Sequence, residues 1–590
     1  MKKQTIWLGV YILLLLVLMN IKIDHELPYD QGRHANQAHV FYNYYRNILH
    51  GNFMSFENFV DQYNEKQRVG FYAWKDPPFA AMVTGFMFLL FGAGEIVARL
   101  ATELFFIIAI IYCFRISSKV LKKFYLAMAS TIIFSMIPMV FLYARQVMLP
   151  VPAVAMILVW YYHFIYAKPR NLSLKLGPNS INIELNNIIA GLALTFATLV
   201  KYQNIAFAGI FAAVYAVVLF IMNKSYQDIS KFFSTDAWNI IRKFMIQLVI
   251  FFVISFRWIQ VSLFDKGILK QILWEGTAEG KEKTFEWAFY FVKQLGFETF
   301  FISILALIPI IWLFLKKDRL LKENYHILIY VLVVLIVGSI LISNRQLRYL
   351  IGMLPFVIIM AVMGLHYLVK SKKVFIGISS VIIAFMLFFS LASAYIVIYN
   401  AYGEIDREAF DYISGHVGQK LILNLEFGYD TFDMVGGPYQ IAAVSLSRAL
   451  SDELFGTEYA DWPGFRTNRQ HKNFFEKAKQ DYRAANIARY RAGREMHSYS
   501  PDTFIFNTLL LEDDYDPEKM STYSNFFASA MVFQNTEQTF AVVKDYSTQI
   551  KTFVVVSNMG SIKENYNLVS DELEKKGFEK KEFRYYDVWE

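Results

Sequence analysis

The sequence predicts a polytopic α-helical membrane protein of about eleven transmembrane helices, followed by an α/β domain outside the membrane. Three observations support this fold class. Hydrophobic residues make up 56% of the 590 residues, charged residues only 18%, and the mean hydropathy is positive. The charged residues cluster in short segments between long apolar runs, and alternate segments are rich in lysine and arginine. After about residue 400 the long apolar runs stop and charged residues become frequent.

The net charge of +8 does not indicate a nucleic-acid-binding protein. The excess positive charge lies in short loops beside apolar runs, where lysine and arginine determine the orientation of a membrane protein. The single cysteine, Cys113, lies within an apolar run, which excludes a disulfide framework and a Cys-x-x-Cys metal site.

The apolar runs define the spans. Lys2 and Lys3 precede a run that ends near Ile21 without a small-residue cleavage site, so we expect an uncleaved anchor. The predicted spans are centred near residues 13, 105, 133, 158, 196, 213, 253, 306, 335, 359 and 387. With the basic loops in the cytoplasm, the N-terminus is cytoplasmic and the C-terminal domain extracytoplasmic.

The run from Phe79 to Phe91 is too short to be another span. At about 13 residues it is typical of an interfacial or re-entrant helix. Counting it as a crossing would also move the basic loop at 115–123 to the outside. We therefore place it at the end of the first external loop, directly after residues 24–78.

The chain divides into a membrane domain at 1–400 and an extracytoplasmic α/β domain at 401–590. Within the second domain, residues 419–427 and 551–558 have the pattern of strands, 564–577 that of an amphipathic helix ended by glycine, and 581–589 that of a final strand.

The first external loop concentrates acids, histidines and tyrosines. Its acidic residues include Asp24, Glu26 and Asp30, any of which could accept a proton at the outer membrane face. The loop and its surroundings also contain four histidines, but His34 and His39 are poorly spaced for one helix face. We therefore predict no metal site there.

Several short motifs follow this loop in a particular order. They are Asp30 with Ala35 and Ala38, Gly51, Pro77-Pro78, Gly92, Ala98-Arg99-Leu100, Ala144-Arg145, Gly191 with Lys201, and Arg348-Tyr349 with Pro355. In this order they resemble the GT-C superfamily of integral membrane glycosyltransferases, in particular the type of the protein O-mannosyltransferases and lipid A aminoarabinose transferases. The resemblance covers about residues 1–400.

The resemblance implies an enzyme of the bacterial plasma membrane. Such enzymes take a sugar from a polyprenyl-phosphate donor and pass it to a hydroxyl acceptor at the outer face; the acceptor is an envelope glycan, a lipid or a protein. It implies Asp30 as the general base, with Glu26 and Asp24 as alternates in the same loop. No cofactor is predicted.

Cations at the external ends of the predicted spans are candidates for binding the donor phosphate. They are Lys75, Arg145, Lys201, Arg345 and Arg348, the last followed by Tyr349. Positive charge on the outer side runs against the orientation rule, which favours a functional role. The alternative for each is a cation that extends from a helix end to the membrane interface. Lys201 and Arg348 are the strongest candidates because both match the motif order.

One departure leaves alternatives open. The family has a second acid shortly after the position of Arg145, where this chain has Pro150. Asp76 or Glu275 could substitute for it, and without a second carboxylate a divalent-metal site is unsupported. The alternatives are a non-catalytic binding or assembly protein of the cell envelope, or a membrane transporter. A transporter should place ionisable groups near the middle of several spans, and these spans contain few.

Overall fold

The computed structural model describes most of the first 396 residues and a few strands beyond them. The described residues are 2–21, 29–60, 77–168, 170–176, 179–222, 236–261, 292–293, 295–316, 323–341, 347–349, 351–396, 420–424, 440–443, 551–557, 574–575, 577–582 and 586–589.

Helices dominate this part of the chain. In chain order the longer ones are α1 (Lys2–Met19), α2 (Tyr29–Leu49), α3 (Phe79–Phe91), α4 (Glu95–Leu121), α5 (Phe124–Ser135), α6 (Pro138–Ala144), α7 (Pro150–Tyr161), α8 (Leu185–Thr198), α9 (Gln203–Met222), α10 (Asp236–Ile259), α11 (Leu307–Lys316), α12 (Tyr325–Leu341), α13 (Leu354–Leu368) and α14 (Lys372–Ile396). A π-helical turn, Tyr162–Tyr166, extends α7, and 3₁₀ turns span Ile302–Ala306, Leu347–Tyr349 and Ile351–Met353.

The chain forms two compact units. Unit 1 contains Met1–Ile23, Asp76–Ala80 and Arg99–Tyr395, and unit 2 contains Asp24–Lys75, Ala81–Ala98 and Ile396–Glu590. The division at residue 400 into a membrane domain and an external domain stays a prediction.

The membrane character of the chain is confirmed. Among the described residues, five helices are long and apolar enough to cross a membrane, and a sixth span results if the bent pair α5 and α6 counts as one. That pair bends by 69°, and Pro138 begins the second helix, where its missing N–H group does no harm. Every predicted span centre lies in a helical segment, but the total of eleven crossings stays a prediction.

Helices α7 and α13 are the two long helices of unit 1 that are buried along nearly all of their length. Every residue from Leu354 to Leu365 is buried, whereas most residues of α10 and α14 are at least partly exposed. Gly364 of α13 lies so close to the backbone of Leu305 that a Cβ atom there would overlap the Leu305 carbonyl oxygen. The exposed apolar faces of α10 and α14 are the surfaces that lipid would contact.

The basic loops meet at one end of the helices of unit 1. Lys122 Nζ forms a 2.6 Å ion pair with Glu323, and Lys123 Nζ lies 3.1 Å from His366 Nε2. These contacts join the segment after α4 to the segment before α12 and to the last turn of α13. This convergence is expected, because the basic loops were predicted to lie on the same side of the membrane. The side of the membrane on which this end lies stays a prediction.

A β-hairpin was not expected in the basic loop between α7 and α8. Strands β1 (Asn171–Leu176) and β2 (Asn179–Glu184) pair antiparallel, with Leu176 opposite Asn179. The sequence between them is Gly177-Pro178, a turn-forming pair. Alternating Leu and Ile residues in both segments have the period of two typical of strands.

Unit 2 contains a five-stranded sheet in the order β4-β3-β5-β7-β6. Its strands are β3 (Lys420–Asn424), β4 (Gln440–Ala443), β5 (Lys551–Ser557), β6 (Lys580–Glu582) and β7 (Tyr586–Trp589). β3 pairs parallel to β4 and β5, and β7 pairs antiparallel to β5 and β6. The strands predicted at 419–427 and 551–558 are confirmed.

The end of the chain differs from the prediction. The single strand expected at 581–589 is two antiparallel strands, in which Lys580 pairs with Trp589 and Glu582 with Asp587. Of the helix predicted at 564–577, only the end falls in the described residues. There Gly577 has a φ of +84°, and its N–H donates to the Glu574 carbonyl oxygen, as a glycine that ends a helix does.

Candidate active site

Asp30 lies in the first turn of helix α2, one residue after its start at Tyr29. The positive end of a helix dipole favours a charged carboxylate in this turn. The alternates Asp24 and Glu26 lie outside the described residues, and so do Lys75, Asp76, Glu275 and Arg345. Asp30 is thus the one of the three candidate bases that the structure assigns to a helix.

Helix α2 packs tightly against α3 within unit 2. Gly85 of α3 touches α2 so closely that an added Cβ atom would lie 2.9 Å from Phe41 Cβ and from the Tyr42 nitrogen. Ala38 is fully buried at this contact. The small residues on both helices therefore permit the close approach that fixes the backbone of α2.

His39 belongs to this packing. Its ring stacks on Tyr42 with centroids 5.1 Å apart and meets the edge of Phe88. Burial and the nearby Arg46 lower the pKa of His39 to about 3, so the imidazole is neutral near pH 7. Its fully buried place among aromatic rings explains this histidine as part of the core of α2 and α3.

A cationic cluster in unit 1 joins Lys201 to Arg348 and Tyr349. Lys201 Nζ donates a hydrogen bond of 3.2 Å to the Arg348 carbonyl oxygen. The same ammonium group lies 4.7 Å from the centre of the Tyr349 ring, and Arg348 Cζ lies 5.5 Å from it. Both distances are within the range of cation–π attraction. The structure thus brings together the two cations that the sequence ranked first.

Breaks between helices position these residues. Lys201 lies between the end of α8 at Thr198 and the start of α9 at Gln203, and its N–H donates to the Ala197 carbonyl oxygen. Arg348 and Tyr349 form a 3₁₀ turn shortly before α13. Two helices thus begin close to the cations, and the N-terminus of a helix carries partial positive charge.

Tyr202, the residue after Lys201, is hydrogen-bonded to helix α10. Trp258 Nε1, near the end of α10, donates a hydrogen bond of 3.1 Å to the Tyr202 hydroxyl oxygen. Lys201, Tyr349 and Arg348 are all half-buried. The site is therefore accessible to a ligand, while its charges are screened less than on an open surface.

A second polar cluster in unit 1 surrounds Glu103, which the sequence analysis did not select. Asn20 Nδ2 donates a hydrogen bond of 2.9 Å to Glu103 Oε2. The carboxylate is 1% exposed, and the guanidinium groups of Arg99 and Arg145 are near enough to stabilise its charge. Arg145, predicted as a phosphate ligand, also donates a hydrogen bond of 2.6 Å to the Ile21 carbonyl oxygen.

A signal for Glu103 exists in the sequence. Arg99 and Glu103 are four residues apart in an apolar helix, so they lie on one face. Ionisable residues within a span are costly and are retained where they have a function or a partner. Averaging over a hydropathy window hides such a pair.

No group of three or more metal-ligating side chains occurs among the residues that the structure describes.

Two solved structures match this chain along nearly its whole length. They are crystal structures of ArnT from Cupriavidus metallidurans, one bound to undecaprenyl phosphate and one in the apo state. Each is 13% identical and covers 99% of this chain and 98% of its own, with TM-scores of 0.48 and 0.46. No protein-family model matches the chain, and no curated protein matches it in sequence.

Proposed function

We propose that this protein is a glycosyltransferase of the bacterial plasma membrane, which moves a sugar from a polyprenyl-phosphate donor to a hydroxyl acceptor at the outer face. The observation that carries the proposal is the convergence of Lys201, Arg348 and Tyr349 where α9 and the turn before α13 begin. The acceptor is an envelope glycan, a lipid or a protein.

The cationic cluster has the chemistry that a lipid-phosphate leaving group needs. When the bond between the sugar and the phosphate breaks, negative charge grows on the phosphate oxygens. Fixed cations and helix N-termini stabilise that charge without reorganising during the reaction. Lys201 and Arg348 supply the cations, and both lie beside the ring of Tyr349. Lys75 and Arg345 are further candidates for the same phosphate.

Asp30 completes the proposed reaction as general base. The acceptor oxygen attacks the anomeric carbon and loses its proton to the Asp30 carboxylate. The bond from the anomeric carbon to the phosphate oxygen breaks, and polyprenyl phosphate leaves with the bonding electrons. One direct displacement inverts the anomeric centre. We propose no metal for this step, so turnover should be unchanged when EDTA is present.

The ligand in one ArnT structure, undecaprenyl phosphate, is of the class proposed here for the donor's lipid. The proposal itself depends on the cations and the carboxylate of this chain. It therefore predicts that the donor is a polyprenyl-phosphate sugar.

Transfer of radiolabelled sugar from a polyprenyl-phosphate donor tests the proposal in membranes that contain the protein. Asp30→Asn should lower kcat by about 100-fold or more, the usual contribution of a general base. The matched variants Asp24→Asn and Glu26→Gln should retain activity. Equal turnover in the wild type and Asp30→Asn would remove Asp30 from the mechanism. A wild type that binds the donor and transfers nothing would favour the non-catalytic alternative.

A further inference from the structure

Glu103 and Arg145 meet at the end of helix α1. Asn20 follows the last residue of this helix, and its Nδ2 donates hydrogen bonds of 2.9 Å to Glu103 Oε2 and to the Leu16 carbonyl oxygen. Arg145 Nη2 donates a hydrogen bond of 2.6 Å to the carbonyl oxygen of Ile21. Side chains from α4 and from the end of α6 therefore hold two successive residues at the end of α1.

These contacts are suited to fixing a backbone. Glu103 is 1% exposed and Arg145 is 5% exposed, so water competes little for their hydrogen bonds. Hydrogen bonds from a charged guanidinium are shorter and stronger than neutral ones. A cation at the carbonyl end of a helix also balances its partial negative charge. Arg99, on the same helix face as Glu103, adds a positive charge beside the carboxylate.

The end of α1 is the start of the segment that leads to the proposed base. Asp30 follows Ile21 by nine residues. Resting on the proposed function, we infer that Glu103 and Arg145 are positioning residues, which fix the point where this segment begins. Arg145 then acts on the reaction through the backbone at Ile21, whereas Lys201 and Arg348 bind the donor phosphate.

Steady-state kinetics separate this role from phosphate binding. In Arg145→Gln and Glu103→Gln, kcat should fall by about 100-fold, since a displacement of about 1 Å can have that effect. The donor KM should stay within about threefold, because the donor contacts are intact. Arg145→Lys and Glu103→Asp keep the charges and should recover a large part of kcat. A donor KM that rises about tenfold in Arg145→Gln with kcat unchanged would overturn the inference.

Chemical labelling tests the inference without any turnover. In a Cys113→Ala background, a cysteine in place of His25 is labelled with a membrane-impermeant maleimide. Its labelling rate should rise by about fivefold or more when Glu103→Gln or Arg145→Gln releases the end of α1. Lys201→Gln, which removes a cation from the other cluster, should leave the rate unchanged. Equal rates in all four proteins would overturn the inference.

The two experiments fail in different ways. A wild-type protein with no glycosyl transfer would contradict the proposed function, while the labelling rates would still decide whether Glu103 and Arg145 hold the end of α1. An active wild type with unchanged labelling rates would leave the proposed function standing and remove the positioning role.

Discussion

Lys201 Nζ donates a hydrogen bond of 3.2 Å to the backbone carbonyl oxygen of Arg348, across 147 positions in the sequence. This bond joins Lys201 to the backbone of the turn that carries Arg348. Because both cations also lie beside the Tyr349 ring, the three residues form one cationic cluster. The loss of either cation should therefore weaken the binding of the same anion.

The first prediction concerns donor affinity. Lys201→Gln and Arg348→Gln should each raise the donor KM by about tenfold or more, since one charge-assisted hydrogen bond to phosphate contributes roughly 1.5–3 kcal/mol. Tyr349→Phe keeps the aromatic ring and should have a small effect on the donor KM. Tyr349→Leu removes the ring beside both cations and should have a larger one. Initial rates over a range of donor concentrations measure these constants. Unchanged KM in both charge variants would remove the cluster from donor binding.

The second prediction concerns helix packing at Gly364. Gly364→Ala should destabilise the protein by about 1–3 kcal/mol, because the new methyl group would overlap the Leu305 backbone. Gly377→Ala is a matched control in α14, since an added Cβ atom there meets nothing within 4 Å. Thermal unfolding in detergent compares the two variants. If both unfold at the wild-type temperature, the close approach of α13 to Leu305 is wrong.

The third prediction concerns a buried polar chain in the core of unit 1. Trp160 Nε1 donates a hydrogen bond of 2.9 Å to Gln247 Oε1, and Gln247 Nε2 donates one of 2.8 Å to Asn187 Oδ1. Gln247→Leu leaves two buried polar atoms without this partner and should cost about 1–3 kcal/mol of stability. Gln260→Leu, at a more exposed position near the end of α10, should cost much less. Equal stability of both variants would show that the chain contributes nothing.

The fourth prediction concerns pH. His39 has a pKa of about 3 in the folded protein and an ordinary value of 6.5 when unfolded. Above pH 6.5 both states are neutral and the stability contribution is fully present. As the pH falls from 6.5 towards 3, only the unfolded state binds a proton, so stability is lost. By pH 5 the loss should reach about 2 kcal/mol.

His39→Phe tests this linkage because it keeps an aromatic ring between Tyr42 and Phe88 and removes the proton site. Thermal midpoints measured in detergent at pH 7.5 and pH 5 should fall less in the variant than in the wild type. The same fall in both proteins would assign the pH dependence to other groups.

The sequence predicted the parts of the fold that depend on composition. The eleven span centres lie in helical segments because long apolar runs have few alternatives to a helix in lipid. Lys201 and Arg348 stood out because positive charge at those loops breaks the alternation of the others. Charge also hid a strand pattern in the loop between α7 and α8, because the basic residues Lys168, Arg170 and Lys175 drew more notice than the alternating Leu and Ile residues of 171–184.

The features that were missed depend on tertiary contacts. Glu103 lies in a helix whose mean hydropathy is high. Its spacing from Arg99 places the two on one helix face, and the contact with Asn20 shows that they belong to a polar cluster. The end of the chain reads as one strand because no glycine or proline interrupts residues 581–589, although the structure pairs Lys580 with Trp589. Asp30 was chosen by position in the motif order, and its role stays a prediction.

The side of the membrane is the central claim, because a donor at the outer face requires the first external loop and the cationic cluster to lie there. In a Cys113→Ala background, cysteines replace the exposed residues His50, in that loop, and Ser371, in a basic loop. A membrane-impermeant maleimide should label His50→Cys in intact cells and Ser371→Cys only after permeabilisation. Labelling of His50→Cys only after permeabilisation would contradict the proposed enzyme.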